Sequence, residues 1–196
     1  MMKRLFIAID LAIPVVERLV GAQGDLRARF HENYGEDVIL RLVAPENIHV
    51  TLKFLGDQPE ELESMIIKVL EKLSAPLFPF EVECLQIGAF PEPKTARILW
   101  AGLDEESSEV LRLLQRALER DLEDLGIPRE EREFLPHVTL ARVKSEKGIR
   151  KSDEILASFE GVTFGKSFVK DLVLFSSTLT PEGSRYEVVR RFSLGR

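Results

Sequence analysis

Cysteine occurs once in this 196-residue chain, at Cys84. That excludes an internal disulfide and any metal site built on several thiolates, and a solitary cysteine reads as a small buried hydrophobe. Histidine is nearly as scarce, with three in all, so a zinc site that takes three protein ligands has little to draw on. Long apolar runs are missing too. The first candidate, Leu5 to Ile13, is interrupted by Asp10 and followed by Pro14. It is too short to span a bilayer and has no secretory cleavage pattern, so a cytoplasmic protein with no membrane attachment is expected. Positive charge is in deficit: the formal net charge is −6, so bulk electrostatics repel nucleic acid and any polyanion must be met by a local basic cleft. Low-complexity segments and flexible linkers are also lacking. With 44% hydrophobic residues, residues 1–196 fit one domain, or two duplicated lobes sharing a core.

What is present is a repeat. His49-Val50-Thr51-Leu52 recurs letter for letter as His137-Val138-Thr139-Leu140, 88 positions later, so two of the three histidines open the repeats. Side chains in a strand alternate between faces. Histidine and threonine therefore share one face, while valine and leucine anchor the other. His31 lies in a polar helix terminus without ligand spacing to either motif and reads as a surface residue.

The elements around the motifs repeat as well. Arg4 to Asp10 reads as a strand, followed by a helix from Pro14 to about Phe30. Val38 to Val43 is a strand, and Pro45-Glu46-Asn47 turns into the first motif strand, Ile48 to Leu55. A helix from Pro59 to Ser74 and a hairpin of Phe80 to Phe90 with Ala96 to Leu103 complete the unit. Next come a helix capped by Asp104 and running to about Leu125, the second motif strand from Phe134 to Val143, and a polar, basic loop from Lys144 to Lys151. A short helix near 152–158 leads to a last hairpin, Phe168 to Leu179 with Arg185 to Leu194, turning at Pro181-Glu182-Gly183. Leu172 follows Leu85 by 87 positions, close to the motif spacing. A pseudo-two-fold arrangement of two units is the reading.

Two histidines on one pocket can divide labour, one neutral as base and one protonated as acid, because the ordinary pKa of about 6.5 lies near neutrality. The reaction most directly served is in-line displacement at phosphorus, where attacking and leaving oxygens lie on opposite sides and each needs proton management. The threonine hydroxyls of Thr51 and Thr139 can donate to the non-bridging oxygens as charge grows. Parity adds Lys53, four beyond His49, as a cation on the motif face. It also adds Phe6, on the non-core face of the first strand, as a base-stacking ring. Arg97 and Trp100 are further candidates in the second hairpin.

At these residues the chain resembles the 2H phosphoesterases, specifically the RNA 2′,3′-cyclic phosphodiesterases, also called 2′-5′ RNA ligases. The resemblance rests on Arg4-Leu5-Phe6-Ile7-Ala8-Ile9-Asp10, on Glu46-Asn47 leading through the first motif to Lys53-Phe54-Leu55-Gly56, on Pro136 leading through the second motif to Ala141-Arg142, and on Ser177-Thr178-Leu179. It implies an α+β fold of two lobes, two antiparallel sheets facing a central cleft with helices outside, and neither metal nor organic cofactor. It implies that His49 is the proton donor, His137 the proton acceptor and Arg142 a phosphate-binding residue. Strict alternation would put Arg142 on the Val138 face, so that last role needs a bulge or a strand end. The function implied is opening of a terminal 2′,3′-cyclic phosphate on RNA or a nucleotide to a 2′-phosphate, with reversible 2′-5′ ligation, by a monomer. The alternatives are a phosphodiesterase of small cyclic or 2′-5′-linked nucleotides, and a non-catalytic RNA-end binder.

Overall fold

Alternating apolar side chains make Met2–Asp10 the strand β1, with Leu5, Ile7 and Ile9 on one face and Phe6 and Ala8 on the other. All five are buried, because helices cover the first face and aromatic rings cover the second. In the computed structural model, which describes residues 2–145, 149, 152–180 and 183–195, α1 follows at Ile13–Tyr34. It runs a turn beyond the expected Phe30 and ends at Gly35, whose φ of +55° a residue with a Cβ resists. Then come β2 (Val38–Leu42), β3 (His49–Pro59) and α2 (Glu60–Ser74). The hairpin β4 (Phe80–Phe90) and β5 (Ile98–Leu103) leads to α3 (Glu105–Glu123).

Asp104 caps α3 as expected, its carboxylate accepting from the Ser107 N–H at 3.3 Å, an interaction of about 1 kcal/mol. Leu111, Leu114, Leu118 and Leu122 form the buried stripe of that helix. The chain closes with β6 (Val138–Ser145), α4 (Ser152–Ala157), β7 (Thr163–Val169), β8 (Asp171–Thr180) and β9 (Gly183–Ser193). The second motif strand begins at Val138 rather than Phe134, so His137 stands just before it. Strand β7 is not among the expected elements. It pairs only with β4 at the sheet edge, and its polar residues obscure the apolar alternation. Residues 146–148, 150 and 151 of the basic loop, and Pro181 and Glu182 of the last turn, lie outside the described residues.

Among the described residues nine strands join one antiparallel sheet in the order β7-β4-β5-β6-β3-β1-β8-β9, with β2 pairing β6 from the side. The two expected sheets are thus the halves of one, and their junction is a single pair, Val50 opposite Val138. These residues hold the same place in the two motifs. Contact between equivalent positions is what a two-fold relation demands. The halves exchange hairpins: β4 and β5, which follow the first motif in sequence, flank the second motif strand, while β8 and β9 return beside β1 and the first. Through the ladders Gly88 corresponds to Val173, an offset of 85 rather than 87, and the extra, bulged residue Gln86 in β4 accounts for one of the two positions.

The main core lies between this sheet and the helices, where Phe30, Leu26, Ile66, Leu70 and Leu118 meet Ile7, Val50 and Leu140. Fully burying one such side chain contributes about 1.5–3 kcal/mol. The other face of the sheet carries the cleft. Among the described residues no helix is long and apolar enough to cross a membrane.

Candidate active site

Both motif strands break their own alternation at the same place. Ala8 faces Thr51 while Ile7 faces Lys53, leaving Leu52 as an extra residue. Trp100 faces Thr139 while Leu99 faces Ala141, leaving Leu140 extra. Each is a β-bulge three residues after the histidine, and a bulge re-aims every side chain beyond it. Before the bulge, His49, Thr51, His137 and Thr139 line one cleft of about 630 Å³, within the size range of small-molecule sites. After it, the residues five beyond each histidine, Phe54 and Arg142, line the same cleft. The bulge at Leu140 is bound from below: its carbonyl accepts from the Val43 N–H at 2.9 Å and from Nε2 of buried Gln23 at 2.8 Å.

The imidazoles are anchored alike. Nδ1 of His49 donates to the Asn47 carbonyl and Nδ1 of His137 to the Leu135 carbonyl, each at 2.7 Å and each to the residue two before. A carbonyl accepts only, so both Nδ1 atoms carry hydrogen and both Nε2 atoms are left for the cleft. Nε2 of His49 meets the Thr51 hydroxyl at 2.8 Å. Asn47 is tied in turn to the Ser184 carbonyl at 3.0 Å.

Burial pushes both imidazole pKa values below the usual 6.5, and it is the largest influence on each. Against it, the Asn47 carbonyl and Asp10 favour a proton on His49, while the charge of His137 opposes one. At pH 7 both are therefore mostly neutral in the empty site.

This is an arrangement with known relatives. A family profile described as the 2′-5′ RNA ligase superfamily matches residues 25–176. The chain belongs to that superfamily. It is 38% identical to an RNA 2′,3′-cyclic phosphodiesterase of Aquifex aeolicus over 78% of this chain and 81% of that one. It is 32% identical to a protein of the same name from Methanocaldococcus jannaschii over 96% and 99%. Among solved structures, TT0787 of Thermus thermophilus superposes with a TM-score of 0.79 at 30% identity, covering 97% of each chain.

Within this ligase-superfamily fold, two of the sequence-derived candidates fall elsewhere than expected. Lys53 does not share the motif face. The bulge at Leu52 turns it under the sheet, where it is 4% exposed and its Nζ donates to Glu119 of α3 at 2.5 Å and to the Pro128 carbonyl at 3.0 Å. A lysine so engaged is not available to a phosphate in the cleft. Phe6 keeps its predicted face but is 2% exposed. Its ring packs 5.1 Å from His49, 5.1 Å from Phe175 and 4.9 Å from Tyr186, so it floors the histidine rather than presenting a surface to a base. Each such pair is worth about 0.5–1.5 kcal/mol beyond burial.

The reverse holds for Arg142, which the bulge brings to the cleft. Trp100 lies 6.4 Å from His137 and over Gly88, where a Cβ would sit 2.2 Å from its ring. Arg97 is exposed and does not border the cleft. Arg41, Tyr186, Phe54 and Leu179 border it and are not among the sequence-derived candidates. For Arg41 and Tyr186 the missing signal is which strands neighbour the motifs. For Phe54 it is the bulge.

Proposed function

We propose that this protein is a metal-independent RNA 2′,3′-cyclic phosphodiesterase that opens a terminal cyclic phosphate to a 2′-phosphate, with residues 1–196 acting as one catalytic unit of two lobes. The observation that carries this reading is the pair of equivalent histidines, each locked at Nδ1 by a backbone carbonyl and offering Nε2 to one cleft. The relatives named as RNA 2′,3′-cyclic phosphodiesterases add support.

In this reading His137 Nε2 takes a proton from water as its oxygen attacks phosphorus. The P–O3′ bond opposite breaks, and His49 delivers its Nε2 proton to the departing 3′ oxygen. A negatively charged phosphate raises the pKa of an adjacent imidazole, so substrate itself helps load His49 with the proton that burial would otherwise remove. Once Nε2 of His49 is protonated it donates to Thr51 Oγ1. The Thr51 hydroxyl is then released to donate, with Thr139, to the non-bridging oxygens. Arg142 holds the phosphate charge. With a 5′-hydroxyl RNA end in place of the attacking water, the same steps make a 2′-5′ linkage, and their reversal cleaves one. The chemistry calls for no Lewis acid, so the assay is hydrolysis of the four nucleoside 2′,3′-cyclic phosphates with and without EDTA. Turnover to 2′-phosphates unaffected by chelation is expected. Tight binding of cyclic-phosphate ends without turnover would instead make this an RNA-end binding protein.

A further inference from the structure

Arg41 is a cleft cation that the paired-histidine reaction leaves unused. It stands on β2, which pairs with the second motif strand and has no counterpart beside the first among the described residues. There it lies directly opposite Arg142 in the antiparallel ladder. Both side chains are exposed and both border the cleft. Like charges placed directly opposite each other across two strands repel. Among the described residues neither guanidinium has a carboxylate partner, whereas Arg190 and Arg191 of β9 hold Glu71 and Asp10. Glu46 also borders the cleft but bonds neither. A bound anion relieves such a repulsion, and the planar fork of a guanidinium fits a phosphate through two hydrogen bonds.

The place of the pair within the cleft narrows the anion. Arg41 sits one strand spacing, ~4.8 Å, from Arg142, on the edge of β6 that β3 also uses and four residues further along it than the Val50–Val138 pair. With Arg142 assigned to the phosphate held between the histidines, Arg41 is left for a second anion. The far end of the cleft is different in kind. At the position equivalent to Arg142 it carries Phe54, 68% exposed, with Leu179 and Tyr186 nearby. Arg185 also lies at that end but is 3.6 Å from Glu187, so the cleft cations without a carboxylate partner among the described residues gather at the Arg41–Arg142 end, in a protein whose net charge of −6 gives no general attraction for RNA. We propose that Arg41, beside Arg142, binds a second phosphate, the internucleotide phosphodiester next to the cyclic phosphate, so that oligonucleotide ends are preferred to mononucleotides. This rests on the cyclic phosphodiesterase reading.

The test compares a nucleoside 2′,3′-cyclic phosphate with a dinucleotide ending in the same group, which adds one internucleotide phosphate. Values of kcat/KM are measured for wild type, Arg41→Gln and Arg41→Lys over a range of salt. Wild type should prefer the dinucleotide. Arg41→Gln should reduce that preference about tenfold, through KM, and lower the salt slope for the dinucleotide by about one. Arg41→Lys should recover part of it. Thermal stability of Arg41→Gln should be unchanged or higher, since a repulsion is removed. A loss shared equally by both substrates, or a wild type with no preference for the dinucleotide, overturns the second-phosphate site while leaving the phosphodiesterase reading intact. Turnover of neither substrate by wild type overturns both.

Discussion

Beside Thr51 the neighbouring strand carries Ala8, and beside Thr139, at the equivalent point, it carries Trp100. The space left by the alanine is filled by rings from β1 itself, β8 and β9: Phe6, Phe175 and Tyr186 all lie within 6.0 Å of His49. His137 instead meets Phe90 edge-on at 5.0 Å and the indole of Trp100. The anchoring through Nδ1 is the same at both sites, but the loading differs. His49 has a hydroxyl on Nε2 and Asp10 favouring its proton. His137 has no carboxylate among the influences on its pKa, and among the described residues its Nε2 makes no hydrogen bond. A duplicated motif has thus kept its geometry while its two environments diverged.

The largest expected effect breaks that pair outright. His49→Ala and His137→Ala should each lower kcat/KM on a cyclic phosphate by about 10²–10⁴, the range for a positioned acid or base. The double variant should lose far less than the product, because both groups serve one transition state. Steady-state kinetics on the three folded proteins checks this, and near-full activity in either single variant ends the paired-histidine reading.

The next effect is on stability and sets the two bulges against each other. Four residues beyond the histidines, the first strand carries Lys53 and the second Ala141. Both are buried. Lys53 enters a polar network in which Glu119 also accepts from Gln115 at 2.7 Å and from the Glu130 N–H at 3.3 Å. Glu119→Ala leaves a buried ammonium without its counter-charge and should cost about 3–5 kcal/mol, while Lys53→Met with Glu119→Leu should be close to neutral. Denaturant unfolding of the two variants measures the contrast. Equal losses in both would show that the network's hydrogen bonds to Pro128 and Glu130, not the charge balance, hold the segment that leads to His137.

This same bulge marks where the sequence stops being legible. Period-two alternation holds from His49 to Thr51 and from His137 to Thr139, so the shared face of the four motif residues can be read directly. Nothing local in Leu52 or Leu140 announces an extra residue. The group that satisfies the Leu140 carbonyl, Gln23, is 117 positions away. Alternation alone therefore assigns Lys53 the wrong face and Arg142 a face it leaves, by one and the same cause. Phe6 shows a different limit. Its face follows from parity, but its burial depends on Phe175 and Tyr186, which arrive from β8 and β9 only when the last hairpin returns beside β1. The pseudo-two-fold order is visible in the spacing of the repeats. The exchange of hairpins between halves is not, because spacing says nothing about which strand a hairpin joins.

The smallest effect sharpens the comparison most. Asp10 lies opposite His49 in the β1–β3 ladder, is bound to Arg191 at 2.6 Å, and favours a proton on His49. Asp10→Asn removes that influence and leaves the positive charge of Arg191 unbalanced, so the pKa of His49 must fall. The productive form of the free enzyme carries one proton, on the acid, with the base neutral. Since both values already lie below 6.5, the optimum of kcat/KM in wild type, midway between them, should also lie below 6.5. Which flank of the profile responds to Asp10→Asn identifies the role of His49. At pH above both values the rate is limited by the fraction of acid still protonated. At pH below both it is limited by the fraction of base already neutral. If His49 is the acid, a lower pKa reduces the alkaline flank and leaves the acidic flank where it was. If His49 is the base, the acidic flank rises and the alkaline flank stays. The inference does not depend on which of the two histidines has the higher value, because each flank lies outside both. A pH profile of kcat/KM for wild type and Asp10→Asn on one cyclic phosphate decides it, and the expected result is a fall confined to the alkaline side.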